Sequence, residues 1–172
     1  IFGELEINNH YEILNFDPRN NNIGKKLIQY DPLIKFNEKI IEIDEKKYHE
    51  ILIKNKVPYS PFDLQENKSL LLENNFDNIN AISWNKGCFV GQEITARMKY
   101  RALLKKQLYA LELISGKINI GDKIIEKGVV LGEVISKANQ YIFCILKIEL
   151  VREKSEKKAL LDIDSSTTLK FL

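Results

Sequence analysis

From Lys106 onward the chain is written in short apolar runs, at 108–114, 123–125, 129–136, 141–148 and 167–171. They are separated by Ser115-Gly116, Gly121-Asp122, Gly128 and the polar stretch 137–140. Runs of this length, punctuated by turn residues every 8–12 positions or so, cannot be a helical bundle and predict a small antiparallel barrel or sandwich. Cys144 lies inside the unbroken apolar run Tyr141–Leu146 and is expected in the core. Residues 152–158, Arg-Glu-Lys-Ser-Glu-Lys-Lys, read as a solvated charged loop.

Upstream of Lys106 the pattern changes. Leu5/Ile7 and Tyr11/Ile13/Leu14/Phe16, on either side of Asn8-Asn9-His10, read as a β-hairpin. Asp17-Pro18-Arg19 and the three asparagines that follow read as a turn, and 24–30 as extended chain. Asp44 is placed to cap a helix running to about Lys56, with Tyr48, Ile51 and Leu52 on its apolar face. A loop-rich stretch holding Leu70 to Glu73 follows, then a shorter helix from about Gln92 to Tyr100. The fold class expected is α+β, with a boundary near residue 104 between units 1–104 and 105–172. The opening Ile1-Phe2-Gly3-Glu4-Leu5 reads as the middle of a strand, so further residues are expected upstream.

Lys and Arg total 26 against 24 Asp and Glu, a net charge of +2, which does not by itself call for nucleic acid or a membrane. Cys88 and Cys144 are far apart and neither belongs to a C-x-x-C pair, which predicts no disulfide framework, no metal site of standard thiolate spacing and a reducing, cytoplasmic setting. No run approaches the roughly 18 apolar residues of a membrane span.

The most distinctive segment is Lys86-Gly87-Cys88-Phe89-Val90-Gly91-Gln92-Glu93. Gly87 and Gly91 allow a sharp turn or a close approach to a ligand on either side of a cysteine. Beside Lys86 and near a helix start, Cys88 has either thiolate character or the ordinary role of a small buried hydrophobe. Arg97, Arg101, Lys105 and Lys106 make a basic cluster, with Arg97 and Arg101 on one helix face; it would serve an anionic tail or a phosphate backbone, or is a plain solvated face.

All eight positions of Lys86–Glu93 match the K-G-C-[FY]-x-G-Q-E signature, and the chain thereby resembles the YgfZ-type folate-binding proteins, relatives of the glycine-cleavage T protein. Ala81-Ile82-Ser83 before it, Thr95-Ala96-Arg97 and Tyr100-Arg101 after it, and Asp17-Pro18-Arg19 upstream are in keeping with that family. The resemblance implies a partial T-protein-like folate-binding domain followed by a C-terminal antiparallel β-barrel, with the N-terminal portion that completes the folate cleft missing. It implies tetrahydrofolate or a derivative as cofactor, and iron–sulfur enzymes, including tRNA-modifying ones, or cluster assembly proteins as partners.

Glu73 matches the acidic position that contacts the pterin in T-protein relatives, where a carboxylate would accept two hydrogen bonds from the ring edge; otherwise it is a loop glutamate. Trp84 would stack on a flat ring or sit in the core. Lys86, Gly87, Gln92 and Arg97 complete the expected folate-binding set, and Cys88 is the candidate functional thiol. No histidine lies near Cys88 in sequence, so covalent catalysis is not proposed and the sequence leaves turnover open. The T protein is not expected to carry Cys and Gln at these positions, which sets an aminomethyltransferase making a one-carbon transfer to tetrahydrofolate in second place. A non-enzymatic RNA-binding module comes third. A chain without its N-terminal portion would expose strand edges, and a dimer is one way to cover them.

Overall fold

In the computed structural model, residues 11–29, 41–60, 62–87, 93–101 and 103–172 are described. Strand β1 (Tyr11–Phe16) pairs antiparallel with β2 (Lys25–Gln29), with Phe16 opposite Lys25. The expected strand at 4–7 lies outside the described residues. The Asp17-Pro18-Arg19 turn between β1 and β2 is locked from within: Asp17 accepts from the Arg19 backbone N (3.0 Å), Nε (2.9 Å) and Nη2 (2.7 Å). This bidentate pair holds the Asp17 carboxyl below its ordinary range.

Helix α1 (Glu45–Lys54) starts where expected, because the Asp44 carboxylate accepts from Lys47 N at 2.7 Å. Its buried side is His49, Glu50, Leu52 and Ile53. The apolar face expected at Tyr48, Ile51 and Leu52 is therefore rotated: Tyr48 and Ile51 are only half-buried. The reason is the sheet beneath, which takes Ile53 into a cluster with Leu108, Ala110, Ala138, Tyr141 and Phe143.

Six strands form one antiparallel sheet in the order β4-β5-β6-β3-β8-β7. They are β3 (Lys106–Ser115), β4 (Lys123–Glu126), β5 (Val129–Ala138), β6 (Tyr141–Lys147), β7 (Leu160–Asp162) and β8 (Thr168–Phe171). All six feed one apolar cluster, through Leu111, Ile124, Val134, Ile142, Leu161 and Phe171 among others, so the sheet curls around it. The turn glycines 116, 121 and 128 all take the positive φ that the sequence punctuation implied. Gly132 serves a different need: a Cβ there would lie 1.9 Å from the Ile145 carbonyl oxygen of the neighbouring strand.

The unbroken apolar run of β6 follows from this arrangement. Ile142, Cys144 and Leu146 point into the curled core, whereas Tyr141, Phe143 and Ile145 face the cluster beneath α1. Burial pushes the Cys144 thiol far above its ordinary value, so it stays uncharged and inert, as its place in the run implied.

Residues 152–158, expected as a solvated loop, are largely helical. Helix α3 (Ile148–Glu156) takes up the end of the run read as a strand to 148. One apolar residue decides this: Val151 is fully buried in the main core, while the charged residues line the outer side. Strand β7 was not expected; it is three residues long and only Leu161 is buried.

Two buried carboxylates fasten α1 and its following loop to the sheet. Asp63, 1% exposed, accepts from His49 Nε2 (2.8 Å), from Tyr59 N (2.7 Å) and from the Ser136 hydroxyl on β5. Glu50 accepts from Lys47 (2.9 Å) and from the Asn139 amide (2.8 Å) in the β5–β6 turn. The Lys47 bond holds the Glu50 carboxyl below its ordinary range against the cost of burial, and Asn139 adds to the effect.

Replacing Asp63 by Ala strands three buried donors, and should cost about 3–5 kcal/mol in urea unfolding. A loss within error of zero would show the network to be dispensable. A lowered carboxyl stabilises the fold above its ordinary range, and that contribution disappears as pH falls through the lowered value. Wild type should therefore lose its stability advantage over Glu50→Gln between neutral pH and the acid side of the carboxylate range. Parallel urea midpoints for the two proteins across that window would contradict it.

Candidate functional site

Glu73 stands in a run of turns from Leu71 to Asn80. Its carbonyl accepts from Leu108 N at 2.7 Å, which seats the main chain on the start of β3. Asn75 completes the seat. Its amide nitrogen donates to the Leu108 carbonyl (2.7 Å) and its amide oxygen accepts from Gln107 Nε2 (2.7 Å). Asn75 adopts φ 62°, a conformation that asparagine tolerates better than most residues, and it is buried. The Glu73 side chain is half-buried beside it.

The Asp17-Pro18-Arg19 turn reaches the same region from the other side. Arg19 Nη2 donates to the Tyr48 hydroxyl (3.1 Å), Asn20 Nδ2 to the Asn55 carbonyl (3.2 Å), and Asn80 Nδ2 to the Pro18 carbonyl (3.1 Å). Ile23, Leu52, Val57 and Ile79 close an apolar cluster beneath these bonds. Asp-Pro-Arg is thus a structural joint, and the lock between Asp17 and Arg19 is what fixes the bridging guanidinium.

Trp84 is neither a free platform nor a core residue. It is half-buried, its ring meets Tyr100 edge-on at 6.3 Å, and Lys99 Nζ lies 3.9 Å from its centroid. These contacts join the two sides of the signature segment: Trp84 precedes it, whereas Lys99 and Tyr100 end helix α2 (Glu93–Tyr100). The tryptophan therefore joins the described residues on the two sides of segment 88–92. A lysine over one ring face is a cation–π contact worth about 0.5–1 kcal/mol at an exposed site.

Helix α2 itself buries no residue. Arg97, placed by the sequence on a basic face with Arg101, bonds instead to Glu93 one turn earlier. Both side chains of that pair are mostly exposed, so it orients Arg97 more than it stabilises the helix. Lys86 and Gly87 are exposed. Gly87 has no positive φ, and nothing lies within 4 Å of where its Cβ would be, which leaves room for a close approach to its backbone.

Cys88 and Gln92 lie outside the described residues, as does Gly91. Among the described residues, Glu73 and Arg97 are held on different supports, and no hydrogen bond or ring contact links Glu73 to Trp84 or Arg97. No group of three or more described His, Cys, Asp or Glu side chains is placed to hold a metal ion. No described helix is long and apolar enough to cross a membrane.

No protein-family model matches the chain. Individual proteins do. The iron-sulfur cluster assembly factor IBA57, mitochondrial, of Mus musculus is 30% identical over 99 residues, covering 56% of this chain and 27% of the mouse protein. The corresponding homolog of Mycosarcoma maydis is 32% identical over 101 residues, covering 58% of this chain and 25% of that protein. The tRNA-modifying protein YgfZ of Aliivibrio fischeri is 47% identical over 51 residues, covering 29% of this chain and 16% of that protein. The chain spans about a quarter of the length of the first of these relatives. The resemblance carried by Lys86–Glu93 is borne out: the chain is similar to the IBA57 and YgfZ proteins.

Trp84 holds the end of α2 through Lys99 and Tyr100, so Trp84→Ala should free α2 and speed tryptic cleavage after Arg97 and Lys99 several-fold, with the melting temperature of the sheet little changed. Cleavage at the wild-type rate would mean that the ring contacts do not hold the helix.

Proposed function

We propose that this chain is the C-terminal part of a folate-binding accessory protein that supports the assembly or repair of iron–sulfur enzymes, tRNA-modifying ones included. The observation that carries the proposal is the complete Lys86–Glu93 signature. Its support comes from relatives named for iron–sulfur cluster assembly and for tRNA modification. Residues 1–104 are assigned to a T-protein-like folate-binding domain and 105–172 to the C-terminal barrel, with reduced folate, tetrahydrofolate or a derivative, as the ligand.

In this reading Glu73 accepts hydrogen bonds from the pterin edge. The fit rests on its main chain, which is fixed to Leu108 while the half-buried side chain keeps an outlet. Open space over Gly87 suits a flat group approaching the signature backbone. Arg97 and Lys86 would hold the anionic tail. Trp84 contributes by holding the end of α2 beside the signature, since Lys99 already covers one face of its ring. Cys88 is the functional thiol, acting on a cluster or as a redox-sensitive group, with no covalent folate chemistry assigned to it. A reducing compartment suits that role. The cytoplasm is proposed for this chain, and the names of the IBA57 relatives carry a mitochondrial address.

The test is genetic. In a strain lacking the gene, the full-length wild type should restore iron–sulfur-dependent tRNA methylthiolation, and Cys88→Ala at matched soluble level should not. Restoration by both would make Cys88 structural, and restoration by neither would remove the accessory role. Tetrahydrofolate titrated calorimetrically into the full-length protein should bind in a saturable way, and Glu73→Gln should weaken binding about tenfold, as expected for losing a charged hydrogen-bond acceptor. Unchanged affinity in that variant would take Glu73 out of the site.

A further inference from the structure

Helices α1 and α3 end in the same unusual way. In α1, Lys56 N donates to the Ile53 carbonyl (2.9 Å) and Val57 N to the Leu52 carbonyl (3.0 Å). In α3, Lys158 N donates to the Ser155 carbonyl (3.1 Å) and Ala159 N to the Lys154 carbonyl (2.9 Å). Each is a Schellman motif, whose left-handed position is usually filled by glycine. Here both positions are lysine, at φ 59° for Lys56 and 48° for Lys158. A side chain in that conformation costs roughly 1 kcal/mol, which a cation at the negative end of the helix dipole offsets in part.

The two lysines converge. They line one cavity of about 430 Å³, together with Lys54, Lys170, Glu112 and Tyr141. Glu112 and Lys170 face each other across β3 and β8, and Lys54 shares Glu50 with Lys47, so these charges are partly balanced. Lys158 has no carboxylate partner among the described residues; Lys56 donates to an oxygen of Leu172 (2.7 Å), which also lines the cavity, leaving two N–H groups for another acceptor. Burial, and then the charge of Lys158, push the Lys56 amine below its ordinary value. The walls offer no ring to stack on: Tyr141 is buried with Lys54 Nζ 4.6 Å from its centroid, and Phe171 is buried.

We infer that this cavity, on the face of the sheet beneath α1 and distinct from the signature segment, binds a phosphate-bearing ligand through Lys56 and Lys158, with Lys54 and Lys170 at its rim. Ammonium groups bind phosphate as point charges without bidentate geometry, and the absence of a stacking surface makes charge the recognised property. The inference is independent of the folate reading.

Inorganic pyrophosphate is the probe, titrated calorimetrically into the full chain at low and at physiological ionic strength. Wild type should bind saturably and more weakly at higher salt. The double variant Lys56→Gly/Lys158→Gly places glycine where a Schellman motif favours it, so the fold should melt no lower than wild type while affinity falls about tenfold or more. Lys170→Gln, which leaves both helix ends intact, should weaken binding less. Competition by single-stranded RNA at equal phosphate concentration separates a nucleic-acid backbone from a small phosphorylated ligand, and displacement identifies the former as the source. No saturable binding by wild type overturns the inference. So does a double variant that keeps its melting temperature and binds as wild type does.

Discussion

The Asp63 carboxylate is the most deeply buried of the ties between the irregular half of the molecule and the regular half. Its oxygens accept from a helix side chain, a loop backbone and a strand hydroxyl, His49, Tyr59 and Ser136. A buried carboxylate is tolerated only when its lone pairs are filled, and no described buried side-chain polar atom is left without a partner. Such a group specifies geometry more sharply than apolar contact does, because a shift of either element would strand a charge. With α1 fixed, Ile53 drops onto Phe143, Leu52 closes the cluster under the Asp17–Arg19 turn, and Tyr48 meets Arg19. Glu73 is then held from two directions, through β3 and through the loops stacked on α1.

Much of the sheet was legible in the sequence because its signals are local. Glycine at 116, 121 and 128 marks turns by conformational need, and the runs between them became strands at nearly the expected places. Asp44 announced α1 by the same kind of short-range chemistry. The misses were cases in which distant residues decide. Charge in 152–158 suggested solvent, but a single inward residue, Val151, is enough to dock a helix whose other residues stay wet. The apolar side of α1 turned because the surface receiving it lies some ninety residues away. Asp63 and His49 carry no sequence signal at all: a lone histidine and a loop aspartate are unremarkable until Ser136 comes between strands to meet them.

Around the signature the same rule applies with a different result. The segment was conspicuous by its residue types, yet the parts that can be described do different work from what those types suggested. Trp84 became a clasp because the residues ending α2 return to it. Arg97 turned to Glu93 along its own helix, and Gly87 has room around it. Glu73 was legible only through resemblance, and its support through Asn75 and Gln107 only through the structure. Helix α2 packs none of its residues inside, which distinguishes it from α1 and α3.

The pairing order also sets a sequence of events during synthesis. Strand β3 lies between β6 and β8, both made later in the chain, so one of its edges waits for Lys147 and the other for Phe171. The neighbouring β4, β5 and β6 form a meander whose contacts are short-range and fast to close. Nascent residues 45–75 meanwhile have nothing to rest on, since Phe143, Ser136, Asn139 and Leu108 belong to surfaces that do not yet exist. Strands β5 and β6, translated after α1, are therefore part of the surface on which α1 and its loop come to rest.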